Sequence, residues 1–172
     1  MMRLIQLASL VLFSGVVQAQ TSGTMQVHLE VLPRVLTVSV GSSQLDFAQQ
    51  RADAGRVVLD PATGQVSGKS SGRHALGEVT VRGSAKSGFL VSVEQTVQLR
   101  QHGSDNRINF TPLWAQREGC RQGTYALTPA RLGTGTLGAD GCAGLRFGGA
   151  IQLWGVPQGH YAGQLAVRIT PM

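Results

Sequence analysis

Little in this sequence points to chemistry. It holds 2 Cys in 172 residues, too few for a Cys-rich zinc module or a knottin-type scaffold. Charged residues are 14% and aromatic residues 5% of the chain. Lysine is almost absent: 2 Lys stand against 13 Arg, and the arginines are scattered singly. Nucleic-acid binding uses a clustered basic stripe with interleaved aromatics, and none is present. No apolar run approaches the ~20 residues of a helical membrane span. No window carries a capped 3.6-residue apolar stripe, which excludes a helical bundle.

The short list of chemical motifs shrinks on inspection. Gly133-Thr134-Gly135-Thr136-Leu137-Gly138 matches G-x-G-x-x-G, but a dinucleotide fingerprint needs a strand before it and a helix after it. Thr128 to Arg131 on one side and Ala139 to Cys142 on the other supply neither. There is no G-x-S-x-G, no C-x-x-C, and no metal-ligand spacing among the 4 His and 2 Cys. The acids are lone residues at turns or on polar strand faces. His28 lies on the polar side of an alternating segment, and His160 sits in a turn. We therefore expect no catalytic residue, no metal and no cofactor. Asn109-Phe110-Thr111 is a glycosylation sequon in an alternating, strand-like context.

What is present is an export signal and a succession of strands. Arg3, then the apolar stretch Leu4 to Phe13, then Val17-Gln18-Ala19 form the n-region, h-region and cleavage site of a secretory signal peptide over residues 1–19. In an exported chain Cys120 and Cys142 pair most simply with each other. Closing that 22-residue loop is worth ~3 kcal/mol in the chain-entropy model. The net charge of +6 gives long-range attraction toward anionic surfaces.

Met25, Val27, Leu29 and Val31 alternate with Gln26, His28 and Glu30, the period of a strand with one buried face. Pro33 must end or redirect that strand. Further strands are expected at Val35–Val40, around Leu45–Phe47, at Arg56–Leu59, at Glu78–Gly83, from Phe89 toward Leu99, and over Asn106–Trp114. Asp60 to Gly64 is a turn signal. Arg117 to Gly141 reads as the least regular part. Leu145 to Gly155 reads as a strand with a bulge at Gly148-Gly149, and Leu165, Val167 and Ile169 alternate near the end. Short strands at roughly ten-residue spacing with Gly-rich turns predict an all-β sandwich.

Two segments carry a resemblance. One is Met25-Gln-Val-His-Leu-Glu-Val-Leu-Pro-Arg-Val-Leu-Thr-Val-Ser-Val40 followed by Leu45-Asp46-Phe47. The other is Gly148 to Ile151 with Gly159-His160-Tyr161-Ala162-Gly163-Gln164-Leu165-Ala166-Val167-Arg168-Ile169. Together they resemble bacterial fimbrial subunits of the chaperone–usher type, the related secreted pilin-like domains and, more distantly, spore coat protein U. Gly159, Leu165, Val167 and Ile169 match the C-terminal fimbrial signature, while Pro171 stands where that signature has an aromatic residue.

The resemblance implies an immunoglobulin-like β-sandwich over residues 33–172 that lacks an edge strand, preceded by an N-terminal donor-strand arm over residues 20–32. Met25, Val27, Leu29 and Val31 would be the donor face. Gly159, Leu165, Val167 and Ile169 would belong to the accepting groove and its C-terminal strand. The implied partners are identical or related pilin subunits, with a periplasmic chaperone and an outer-membrane usher. The implied route runs through the inner membrane to the periplasm and then to the cell surface or medium. The alternative is a self-complemented secreted β-sandwich with an adhesive or glycan-binding role. The receptor is not legible in the sequence.

Overall fold

The computed structural model describes residues 35–51, 54–67, 70–121, 123–128 and 131–172. The expected signal peptide, the arm with Met25, Val27, Leu29 and Val31, and Pro33 lie outside the described residues. The described residues form strands and no helix: β1 (Thr37–Ser42), β2 (Gln49–Gln50), β3 (Arg56–Leu59), β4 (Ser70–Ser71), β5 (Gly77–Arg82), β6 (Gly88–Val93), β7 (Val97–Gln101), β8 (Arg107–Glu118), β9 (Ala126–Thr128), β10 (Leu132–Thr136), β11 (Cys142–Gln152), β12 (Tyr161–Ala162) and β13 (Val167–Pro171).

The fold is all-β and sandwich-like. A large antiparallel sheet runs in the order β1-β5-β11-β8-β7-β12, with β3 added beside β11 and β9 beside β8. A smaller sheet, β10-β6-β13, packs over it, and β2 and β4 make a separate two-stranded ribbon. Alternation explains the packing. In β6 the residues Phe89, Val91 and Val93 are buried while Gly88, Leu90 and Ser92 are half-buried. They meet Val81, Trp114, Leu137, Leu145 and Phe147 in one core cluster. A second cluster gathers Phe47, Val57, Leu59, Ile108, Phe110 and Ile151.

The strand expected around Leu45–Phe47 is reduced to an isolated bridge between Asp46 and Ala75. Three further local expectations differ from the structure, each for a tertiary reason. The run from Phe89 toward Leu99 is two strands in two sheets. The chain leaves the small sheet after Val93, crosses through exposed Glu94, Gln95 and Thr96, and enters the large sheet at Val97. Arg117 to Gly141 contains the end of β8 and all of β9 and β10.

The third concerns glycines. The G-x-G-x-x-G stretch lies on β10, where a Cβ on Gly133 would overlap the Trp114 ring and one on Gly135 would overlap Phe89. These glycines make room for rings from other strands. Gly148-Gly149 does not bulge, since β11 keeps unbroken register with β8 from Gly144 to Ile151. At this pair β11 instead changes its other neighbour, from β5 up to Phe147 to β3 from Gly149 onward. A register shift occurs in β1, between Val40 and Ser42.

Candidate functional site

Among the described residues one long seam between the two sheets is open: β1 is the outermost strand of the large sheet and pairs with β5 alone, and β13 is outermost in the small sheet and pairs with β6 alone. Both line one groove with a volume of about 1640 Å³. Among the described residues, each strand therefore presents a row of main-chain donors and acceptors without a strand partner on its groove side.

Side-chain parity makes the opening concrete. Val38 lies opposite Val81 and Val40 opposite Val79, so the two valines of β1 point to the inner face. Val81 is fully buried, yet Val38 is 45% exposed and Val40 63% exposed. Among the described residues, the inner face of β1 thus lacks a cover that the next strand has. From the other side β13 contributes Val167 and Ile169, which lie opposite Val93 and Val91 of β6. Leu165 lines the same groove just before β13. Phe147, Phe110 and Ile151 form part of its floor, and Phe47 stands edge-on to Phe110 with ring centroids 5.8 Å apart.

One end of the groove is a loop fastened to β7 by side-chain and main-chain hydrogen bonds. Gln101 Nε2 donates to the Gln158 carbonyl at 2.8 Å. Its Oε1 accepts from Asn106 Nδ2 at 2.7 Å and Ser104 Oγ at 2.9 Å. The His102 N–H donates to the His160 carbonyl at 2.9 Å, and Tyr161 O–H donates to the Pro157 carbonyl at 2.9 Å. Gly159 sits directly on the Gln101 amide, and a Cβ there would overlap it. The glycine is needed for close approach, which fastens the loop 156–161 beside β7.

At the far corner Cys120 and Cys142 form a disulfide, as their isolation in the sequence suggests. Asp140 braces it, accepting from the Cys120 N–H at 3.1 Å and the Cys142 N–H at 3.2 Å. The bond from Cys120 is the main reason the Asp140 carboxyl lies below its ordinary pKa of 3.8. Partial desolvation opposes it, while the Cys142 N–H and the charge of Arg82 add to it. On the outer face of the large sheet Tyr125 covers Gly144 and carries the guanidinium groups of Arg146 and Arg117 at 4.2 and 4.8 Å from its ring centre. Arg146 also pairs with Glu78 at 2.9 Å.

Of the residues singled out in the sequence, Gly159, Leu165, Val167 and Ile169 all line the groove. Asn109 is exposed on β8. His160 is exposed, and among the described residues no three His, Cys, Asp or Glu side chains gather in a metal-binding group. Sequence reasoning missed Gln101, whose partners Gln158 and Tyr161 are distant in the chain, and the exposure of Val38 and Val40. The alternation of β1 reads the same whether or not its inner face is covered.

No family model matches the chain, and no curated protein matches it.

Proposed function

We propose that the chain is an exported structural subunit that polymerises by strand donation, in the manner of a bacterial fimbria or coat. Residues 25–31 of one copy occupy the groove between β1 and β13 of the next. The observation that carries this reading is a pair of edge strands, outermost among the described residues, that line one groove: Val38 and Val40 of β1 are exposed in it, and Val167 and Ile169 of β13 are half-buried between it and the core. A segment that adds a strand to such an edge gains main-chain hydrogen bonds, and its alternate side chains fill pockets. The groove, at about 1640 Å³, is larger than the ~300–1,000 Å³ typical of small-molecule sites, which favours an extended peptide as occupant.

Met25, Val27, Leu29 and Val31 have the required period, and each side chain buried is worth ~1.5–3 kcal/mol. Donation to another copy is head-to-tail and does not close, so it makes a filament.

The signal-like residues 1–19 and the disulfide fit an oxidising destination outside the inner membrane. Before a donor arrives the groove needs cover, the part that the resemblance gives to a periplasmic chaperone and an outer-membrane usher.

The test is the full-length chain carrying Val27→Asp with Leu29→Asp. Assembly is expected to stop while the β-type circular dichroism spectrum is kept. Polymers of normal length from this variant would refute donation by residues 25–31.

A further inference from the structure

Hydrophobic alternation fixes the pairing of a donated strand only by parity. A slip of one residue turns every apolar side chain outward and is excluded, but a slip of two keeps them all inward. Some second feature must choose among the even registers. The charges in this molecule are placed to do so.

β1, with the sequence TVSVGS, carries no charge. The three strands of the small sheet, GFLVSV, LGTGT and VRITP, carry one between them, Arg168. Residues 25–31, Met-Gln-Val-His-Leu-Glu-Val, also carry one, Glu30, with His28 neutral.

Arg168 lies between Val167 and Ile169, so it points to the outer face of β13 and is exposed. Its row across the small sheet continues through Ser92 to Leu132 and contains no acid. Glu94, just past the end of β6, makes no ion pair with it, and Arg168 has no hydrogen-bonded or ionic partner among the described residues. In a strand whose 25, 27, 29 and 31 side chains enter the groove, Glu30 faces outward, on the side of Arg168.

We propose that Glu30 of one copy pairs with Arg168 of the next and thereby sets the register of the donated strand. This inference rests on the strand-donation reading. In a parallel alignment the pair brings Val27, Leu29 and Val31 level with Leu165, Val167 and Ile169. In an antiparallel one it brings Leu29 level with Ile169 and Val31 level with Val167. A slip of two residues moves the carboxylate ~6.6 Å along the strand and breaks the pair.

The test compares the full-length wild type with Glu30→Arg, Arg168→Glu and the double variant. The readouts are assembly rate and the lifetime of the polymer in detergent. Each single variant places like charges opposite and is expected to shorten the polymer lifetime about fivefold. The double variant restores the pair with its signs reversed and should return to within about twofold of wild type. Mixing the two single variants should favour alternation, because a donor with Arg168→Glu offers its unaltered Glu30 to the unaltered Arg168 of an acceptor with Glu30→Arg, and the converse joint restores the pair with its signs reversed. Joints between two copies of the same single variant place like charges opposite and should be the least favoured.

Wild-type polymers with no rescue in the double variant would overturn the pair and leave donation standing. Wild-type protein that does not polymerise would overturn both.

Discussion

The two long seams of the sandwich are finished differently. On one side the chain itself crosses between sheets, from β9 beside β8 to β10 beside β6, and Trp114 fills the space beneath Gly133 with 1% of its surface exposed. On the other side β1 and β13 face each other across a groove, and Val40 keeps 63% of its surface exposed although it points inward. The same alternating strand chemistry makes both. What differs is whether a covering element is contributed by the described residues.

The comparison can be broken most forcefully at the closed seam. Trp114→Ala removes a ring around which β8, β9 and β10 pack, and should cost ~3–5 kcal/mol of folding stability, read by chemical denaturation of the monomer. Val40→Ser at the open seam should change monomer stability by no more than about 0.5 kcal/mol, because little burial is lost. It should nonetheless weaken assembly. Equal destabilisation by the two substitutions would erase the distinction between the seams.

A smaller effect is expected at the groove's end. Gly159→Ala drives a methyl group into the Gln101 amide and should cost about 1–3 kcal/mol. The loss of order should show first in the amide exchange of residues 156–161.

The smallest effect concerns acid. Because the folded-state pKa of Asp140 is lowered, its carboxylate stabilises the disulfide corner above the unfolded value near ~3.9, and that contribution is lost as pH falls through the folded value. Asp140→Asn should flatten this acid dependence below pH ~4, with little change in stability at neutral pH beyond a small uniform loss.

Much of this fold was legible where burial and local pattern agree. The strands at Arg56–Leu59, Glu78–Arg82 and Phe89–Val93, the turn at Asp60, and the pairing of the two cysteines follow from alternation, turn chemistry and isolation of the thiols. The parts that were not legible share a physical cause. β10 is Leu-Gly-Thr-Gly-Thr, poor in strand formers, because Trp114 and Phe89 from other strands occupy the room its side chains would take. The break between β6 and β7 depends on which sheet each half joins, which no local pattern encodes.

The same holds for the groove. Leu165, Val167 and Ile169 announce an inward face. That β1 and β13 are both edges and line one opening is a property of topology. Gln101 fastens the loop at its end through Gln158 and Tyr161, 57 and 60 residues away.

The central claim is that the open seam is filled by residues 25–31 of another copy. The most direct measurement is electrophoresis of the purified chain from Gln20 onward in detergent, with and without boiling. A ladder of multimers in the unheated lane that collapses to monomer on boiling is the predicted result. A single monomer band in both lanes, from protein with a folded β-type spectrum, would contradict it and favour a secreted sandwich that completes itself.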